Sequence, residues 1–499
     1  MASDKLEDSK RSGKFTLSPG REVRGELTLT GANSSLYLHD EEYFNPHGIP
    51  DQCILGVLDD LTKVSLIQCI TTSGPGSGSR GDERYHFANI FPHHVVYGDC
   101  HITPTEKSIA AVHFVIDDAT TLFYDFDAFG SLIDARPFIE QITRANGLDR
   151  IITTGPSPAI LYFTGKREIF SADTVLGKVS ATHNPTQSLG GPSGVRLDNT
   201  VLVNIAFKEM VTFEEAILRT LDLLRFLELV VGRPQNLLDL RLRKESNLGQ
   251  PVFLRVYWSM PPKREPSNEQ EKPHPADVLL DAVRQPEAFS NVIASWLTRQ
   301  QSWRDARLRF HESFTRQRYY PIERLIGSAN MFDILPTPAV PQDVDLSNEM
   351  KAAKEECGKL FRQLPASPER DSVLGVLGRV GKTNLKRKIR HRAQAVLNVL
   401  GGRFPELLTV TDEAVNCRNH YVHGSAPPFN YSENLDARIF FTDTLEFVFA
   451  ASDLIEAGWD IKAWSEIATS MSHPFGRYRV GYAERLKGLK ALLPRASAV

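Results

Sequence analysis

The chain has 499 residues, too many for one ordinary core, so two or three domains are expected. Hydrophobic residues make up 41% of the chain and charged residues 24%, which excludes a disordered or fibrous protein. The formal net charge of −3 excludes a uniformly basic nucleic-acid binder, so any such binding must come from a local patch.

Residues 1–14 are charged and polar, which predicts a flexible N-terminus without the apolar core of a secretory signal. The five cysteines are scattered and form no CxxC pair, so we expect a reducing cytosol and no disulfide framework or structural zinc site. The most apolar helical segment, residues 221–232, is too short and too charged to span a membrane. A cytoplasmic protein without membrane contact is therefore predicted.

Residues 15–210 predict a β-rich domain. Short runs of β-branched and aromatic residues are separated by Gly, Pro, Asp and Asn, which is typical of an antiparallel sandwich or barrel. These runs are residues 25–31, 34–40, 62–72, 108–117 and 160–165. The segments GPGSGSRGDE (74–83) and NPTQSLGGPSG (184–194) predict flexible loops.

Residues 211–335 predict a mixed, mainly helical middle region. It opens with a helix that has Thr212 as its cap and Gly232 at its end. A strand at 252–260, a solvated loop at 261–275 and further helices from Ala276 to about residue 335 follow.

The proline-rich segment 336–345 predicts a linker and a domain boundary. Beyond it, residues 346–499 predict an all-α bundle. Its expected helices are 346–364, 367–400 with a break near Gly381, 405–423, 433–458 and 460–470, with a tail to about 490. The predicted fold class is α+β multidomain: a β-rich N-terminal region, a mixed middle segment and an all-α C-terminal bundle.

The helix at 405–423 ends in the unusual sequence CRNHYVHG (417–424). Arg418 falls within the apolar arc of this helix, where a charge needs a partner, whereas Asn419 and His423 lie on the polar side. In a straight helix Arg418 and His423 point about 140° apart. We therefore expect a shared site to need unwinding at His423 or a second copy of the chain.

The pattern of Arg418, a polar residue at 419, and His423 followed by Gly424 resembles the RX4H motif of HEPN-domain ribonucleases. A β-rich region before such a bundle resembles the ApeA-type anti-phage HEPN proteins over most of the chain. Residues 53–69 and FYDFDAFG (123–130) resemble the N-terminal domain of that family. The resemblance implies a HEPN ribonuclease domain at 346–499, a sensing or regulatory domain at 15–210, and a homodimer or higher homo-oligomer with a dimeric composite site that leaves a 2′,3′-cyclic phosphate. It implies no cofactor and no metal.

These residues suit RNA cleavage, because histidine can transfer protons near neutral pH and arginine can hold two phosphate oxygens. Arg418, Asn419 and His423 are therefore the predicted catalytic residues of an endoribonuclease. The resemblance further implies that the substrate is RNA, with tRNA as the first candidate, and that its cleavage stops translation in abortive infection. A phage-derived trigger is expected at the N-terminal domain. Two alternatives stay open: a non-catalytic HEPN module that dimerises and binds RNA or a partner, and a metal-dependent nuclease. In the first, Arg418 pairs with an acidic residue and His423 caps the helix.

Residues 372–405 contain no acidic residue, which predicts an RNA-binding patch, with a solvated helix face as the alternative. The predicted RNA-binding residues are Lys382, Lys386, Arg387, Lys388, Arg390 and Arg392. GRVGKT (378–383) imitates a phosphate-binding loop but lacks its first glycine and its strand, so nucleotide hydrolysis is not predicted. Cys417 is expected in the core, and the histidines of PHHVVYGDCH (92–101) are expected to be incidental rather than metal ligands.

Overall fold

The computed structural model describes residues 10–18, 21–46, 52–80, 83–145, 153–188, 190–245, 249–262, 272–343 and 345–494. Residues 1–9 of the expected flexible N-terminus and 263–271 of the expected loop lie outside these ranges. The chain divides into two compact units, residues 1–297 and 298–499. The first is built on an antiparallel sheet and the second is helical, which confirms the predicted α+β class.

The first unit contains fourteen strands within the described residues. They are β1 (Lys10–Ser18), β2 (Arg21–Thr28), β3 (Ser35–Asp40), β4 (Ile54–Leu58), β5 (Lys63–Arg80), β6 (Glu83–Gly98), β7 (Ile109–Ile116), β8 (Phe129–Ile133), β9 (Ala159–Phe163), β10 (Glu168–Thr174), β11 (Gly177–Gln187), β12 (Leu197–Val211), β13 (Leu237–Glu245) and β14 (Pro251–Trp258). Its helices are α1 (Ala119–Leu122), α2 (Arg136–Ala145), α3 (Phe213–Val231) and α4 (Pro286–Thr298).

Six of these strands close into a barrel, in the order β6-β3-β2-β1-β4-β5, because β5 also pairs with β6. Alternate side chains point inward, as the two-residue period of a strand requires. Phe15, Leu36 and Val64 are among the fully buried residues of this core. The expectation of an antiparallel barrel is thereby met for this part of the chain.

The sheet continues beyond the barrel in the order β14-β13-β7-β12-β11-β10, while β8 and β9 form a separate two-stranded sheet. Helix α3 packs on β7 and β12. It begins as predicted, with the Thr212 side chain and Glu215 forming a capping box, and it ends at Gly232 with φ of 89°.

The predicted loop at 74–83 is instead, over its described residues, the outer part of the hairpin formed by β5 and β6. Gly76 pairs with Phe87, and Gly78 pairs with Tyr85. A Cβ atom at either glycine would lie 2.3 Å from the ring of its aromatic partner. The glycines therefore serve cross-strand aromatic packing, which a composition-based prediction of a loop does not consider.

The second unit is helical in its described residues. Its helices are α5 (Gln300–Phe314), α6 (Ile322–Asn330), α7 (Asn348–Gln363), α8 (Pro368–Arg379), α9 (Leu385–Leu400), α10 (Leu407–His423), α11 (Leu435–Ala457), α12 (Ile461–Glu466) and α13 (Pro474–Leu492). Helix α11 is buried on almost all sides and contacts α5, α6, α9, α10 and α13. The predicted break near Gly381 is confirmed, since φ of this residue is 87° and it lies between α8 and α9.

The boundary between the units, after Leu297, precedes the segment 336–345 that the sequence predicts as a linker. Residues of that segment are held within the helical unit. The backbone N–H of Thr383 donates to Asp343 Oδ1 at 2.7 Å, and the Thr383 hydroxyl donates to the carbonyl of Pro341 at 3.0 Å. The segment includes a 3-10 turn at Thr337–Ala339 and is held to Thr383, just before α9, by these hydrogen bonds.

Among the described helices, none combines the length and the apolar character that a membrane span requires.

Candidate active site

The candidate site lies at the C-terminal end of α10. Leu407, Val410, Ala414 and Cys417 are fully buried, which fixes the predicted apolar face of this helix. The helix ends at Gly424, whose φ of 69° closes it with a hydrogen bond from the Gly424 N–H to the carbonyl of His420. The last turn therefore presents its polar side chains at the rim of the unit.

The guanidinium of Arg418 brings the three predicted catalytic residues together. Its Nη1 donates to Asn419 Oδ1 at 3.1 Å and lies 3.1 Å from His423 Nε2. Arg418 and Asn419 are half-buried, while His423 is exposed. The three side chains form one contiguous polar group within a single chain.

This contact corrects the expectation that the helix must unwind or a second copy must be present before Arg418 and His423 can meet. His423 is still part of the helix. The long side chain of Arg418 spans the difference in direction and reaches His423 around the helix end.

The contact also fixes the form of the imidazole. A guanidinium carries only donors, so His423 Nε2 must accept, and the ring proton is then on Nδ1. The neutral ring is the form that can act as a base. Arg418 Nε is buried without a hydrogen-bond partner among the described residues, so Nη1 and Nη2 carry the recorded hydrogen bonds of the guanidinium.

Asn330, at the end of α6, is a further member of the site that the sequence analysis missed. Its Oδ1 accepts from Arg418 Nη2 at 2.9 Å. The two residues are 88 positions apart, and the local sequence around Asn330 carries no motif that could have indicated the contact.

No carboxylate of the described residues lies within 4 Å of the Arg418 side chain, whose recorded partners are two amides and an imidazole. The non-catalytic alternative required Arg418 to pair with an acidic residue of the bundle. A half-buried arginine with an uncompensated charge favours an anionic ligand instead.

The predicted RNA-binding residues have different surroundings. Lys386 and Arg390 both contact the Asp412 carboxylate, at 3.5 and 2.6 Å, and Lys388 lies 3.7 Å from Asp333. Neither Lys382 nor Arg387 forms an ion pair with another described residue. The basic run thus has acidic neighbours that its own sequence does not show.

Arg392 is a correction to the predicted RNA-binding set. It is 1% exposed, donates to Ser452 and Glu456, and packs against the Trp303 ring. A buried arginine cannot reach an RNA backbone. Its position three residues after the buried Ile389, and four before the buried Val396, is a helical signal that could have revealed this.

Other candidate motifs do not form sites. Cys417 is fully buried, and burial raises its pKa to about 12, so it stays a protonated core thiol. Residues 378–383 run from the last residues of α8 into the turn before α9, without the preceding strand that a phosphate-binding loop requires. His94 is buried in β6, and burial, together with the neighbouring His93, lowers its pKa to about 3. Within the described ranges, no three His, Cys, Asp or Glu side chains form a group that could hold a metal ion.

Comparison with known families agrees with this architecture. The family model for ApeA N-terminal domain 1 matches residues 10–296, more than half of the chain, and the model for Apea-like HEPN matches residues 326–462. The second match covers most of α6 and all of α10. No curated protein and no solved structure matches the chain. The chain therefore belongs to the ApeA family of anti-phage HEPN nucleases.

Proposed function

We propose that this protein is a metal-independent endoribonuclease of the RX4H type, with Arg418, Asn419 and His423 as its catalytic residues. The observation that carries the proposal is the Arg418 guanidinium, which has no carboxylate partner among the described residues and contacts a neutral imidazole. One fixed cation and one base are the minimum for phosphodiester cleavage through the 2′-hydroxyl.

The proposed reaction begins when a phosphate of the RNA accepts hydrogen bonds from the Arg418 guanidinium and displaces His423 from it. The released Nε2 then takes the proton of the 2′-hydroxyl, and the 2′-oxygen attacks phosphorus. The bond from phosphorus to the 5′-oxygen breaks, and that oxygen takes a proton from an acid. The products are a 2′,3′-cyclic phosphate and a 5′-hydroxyl.

A homodimer supplies the missing acid in this scheme, because one imidazole in one chain cannot be base and acid in the same step. His423 of a second copy, likewise released from its Arg418 and then protonated, fills that role. Asn419, one turn before His423 and bonded to Arg418, orients the guanidinium toward the phosphate.

The RNA, with tRNA as the first candidate, would extend from the site along α9. Lys382, Lys386, Arg387, Lys388 and Arg390 are the proposed contacts, and Arg392 is excluded by its burial. Phosphates compete with Asp412 and Asp333 for three of these cations, so the patch is expected to bind RNA with strong salt dependence.

The N-terminal unit is proposed to sense a phage-derived trigger. An unrestrained ribonuclease would stop the translation of its own cell, so a family that acts against phage needs a restraint that infection removes. The large sheet-based unit contains none of the proposed catalytic residues, so it is the part of the chain proposed for this role.

The test is a gel of total tRNA incubated with the purified full-length protein in EDTA. Wild type is compared with His423→Ala and with His391→Ala, a matched change at an exposed histidine of α9. We expect cleavage by wild type and by His391→Ala, and a loss of about 100-fold or more in His423→Ala. If none of the three cleaves, the gel is repeated with extract of phage-infected cells.

The alternatives give different results in the same assay. A metal-dependent nuclease is inactive in EDTA and regains activity with added divalent cations. A non-catalytic module binds tRNA in a mobility-shift assay but cleaves it under no condition, even with infected-cell extract, and His423→Ala then behaves as wild type. Either outcome would overturn the proposed function.

A further inference from the structure

A cavity of about 410 Å³ lies in the N-terminal unit, and none of its lining residues takes part in the proposed reaction. It is bordered by the segment 123–130, by the small sheet of β8 and β9, and by β11 and β12. The volume is within the range of small-molecule sites. The segment FYDFDAFG, one of the sequence features that resembles the family, thus forms part of a concave surface.

The floor of the cavity is polar and electrically balanced. Asp125 is 8% exposed, and its carboxylate accepts a hydrogen bond from Lys166 Nζ at 2.9 Å. Because Lys166 already neutralises the buried Asp125 carboxylate, the floor of the cavity does not favour a charged ligand.

Two polar atoms at the floor are left without a hydrogen-bond partner. Asn199 Nδ2 donates to His183 Nδ1 at 3.0 Å, which places the ring proton on His183 Nε2. That Nε2 is 3.9 Å from Asp125 Oδ2, too far for a hydrogen bond. Neither His183 Nε2 nor Asn199 Oδ1 has a hydrogen-bond partner among the described residues, although both atoms are buried.

The pair is complementary in character, since one group is a donor and the other an acceptor. His183 is 3% exposed, so water does not satisfy it freely. Leaving such groups unpaired costs stability, and a ligand edge with an acceptor beside a donor would recover that energy.

The walls of the cavity are aromatic and open to solvent. Tyr124 is 47% exposed, Phe126 71% and Tyr162 36%, an unusual concentration of large apolar side chains on a surface. Phe129 lies at the base and stacks on Phe163 with a ring distance of 4.7 Å. Such rings accept a planar partner on their faces.

We propose that this cavity binds a nucleobase, carried either by a free nucleotide or by an unstacked base of a single-stranded nucleic acid. A nucleobase is planar, uncharged, and presents donors next to acceptors on its edge, which matches the aromatic walls, the balanced floor and the free pair. Stacking on aromatic residues with edge recognition is a common mode of base binding. The site is independent of the proposed ribonuclease reaction.

The test is isothermal titration of the full-length protein with each ribonucleoside monophosphate, with ribose 5-phosphate, and with single-stranded 2′-deoxy octanucleotides. The deoxy strands cannot be cleaved through a 2′-hydroxyl, so binding is measured apart from any ribonuclease activity. The variants are Asn199→Ala, which removes the acceptor, and Phe126→Ala, which removes one exposed wall. Phe138→Ala is the matched control, since Phe138 is 52% exposed and does not line the cavity.

We expect at least one base-bearing ligand to bind and ribose 5-phosphate not to bind. Asn199→Ala and Phe126→Ala are each expected to weaken binding by about tenfold, while Phe138→Ala leaves it unchanged. Binding of the monophosphates identifies a free nucleotide, and binding of the octanucleotides alone identifies a strand. The proposal is overturned if no base-bearing ligand binds at millimolar concentration, or if the two cavity variants bind as wild type does.

Discussion

Arg418 differs from the buried arginines of the helical unit in the chemistry of its partners. Arg307 and Arg324 each meet a carboxylate through two hydrogen bonds, and Arg392 donates to Glu456. Arg418 is held by Asn330 and Asn419, whose amide oxygens orient the guanidinium without neutralising it. An orienting amide preserves the charge for a phosphate, which a carboxylate would not do.

Asn330 is therefore predicted to be a positioning residue, and Asn330→Asp is the sharpest test of that role. The added carboxylate would form an ion pair with Arg418, so the protein should become slightly more heat-stable while tRNA cleavage falls by about tenfold or more. The measurements are thermal unfolding and kcat/KM on tRNA. A purely structural contact predicts that stability and activity rise or fall together.

Two further variants complete this test. Asn330→Ala removes the hydrogen bond without adding charge, so its loss of activity should be smaller than that of Asn330→Asp. Asn398→Asp adds the same charge at an exposed asparagine of α9. Equal losses of activity in Asn398→Asp and Asn330→Asp would show that general repulsion of RNA, and not Arg418, is responsible.

The sequence could indicate only those residues of the site that lie on one helix. Arg418, Asn419 and His423 share one helix end, and their spacing could be read from the chain. Asn330 joins them only because α6 packs on α10, a contact between distant segments. Arg392 shows the converse, since its charge suggested a surface role although it lies on the same buried face of α9 as Ile389 and Val396.

At the scale of elements, α11 connects the helices of the second unit through its carboxylates. Glu446 accepts from Arg324 on α6, Asp453 from Arg307 on α5, and Glu456 from Arg392 on α9. The first two pairs are almost fully buried, with side-chain exposures of 4% or less. These pairs fix which helices pack on α11, because an unpaired buried charge is costly.

Glu446→Ala is predicted to destabilise the helical unit by about 3–5 kcal/mol, because it leaves Arg324 buried and charged and removes the acceptor of Ser328. For a unit of this size that corresponds to a fall in Tm of about 10 °C. The measurement is circular dichroism at 222 nm on the full-length protein. Glu355→Ala is the control, since its i,i+4 partner Lys359 and Glu355 itself are both 67% exposed, and we expect little change.

The double variant Arg324→Leu with Glu446→Leu separates lost pairing from lost packing. Replacing both charges by apolar side chains removes the desolvation penalty, so most of the lost stability should return. A double variant that is no more stable than Glu446→Ala would show that shape, and not the unpaired charge, dominates at this position.

Secondary structure elements followed from the sequence where their ends carry local signals. The cap at Thr212, Gly232 and Gly424 each marked a helix end that the structure has at the same residue. The hairpin of β5 and β6 did not follow, because its stability depends on aromatic side chains of the opposite strand lying over glycines. Cross-strand partners are set by topology, which a local pattern does not contain.

At the scale of the whole molecule, three observations place the boundary between the two domains at different residues. The compact units divide after Leu297, the HEPN match begins at residue 326, and the composition of 336–345 predicts a linker. The buried ion pairs favour the first of these, because α5 and α6 supply the arginines that neutralise α11. A HEPN bundle cut after α6 would keep Glu446 and Asp453 and lose Arg324 and Arg307, their partners.

Two fragments test which boundary delimits a domain that folds on its own. A fragment of residues 298–499 is predicted to fold cooperatively, because it retains α5 and α6 and, with them, the pairs of Arg307 with Asp453 and Arg324 with Glu446. A fragment of residues 346–499 lacks both arginines and uncovers the face of α11 that packs on α5 and α6, so we expect it to aggregate or to melt without a cooperative transition. Thermal unfolding by circular dichroism, with gel filtration to monitor aggregation, distinguishes these results. If 346–499 melts as cooperatively and at the same temperature as 298–499, the helices before residue 336 are accessory to the bundle, and the proline-rich segment is the domain boundary after all.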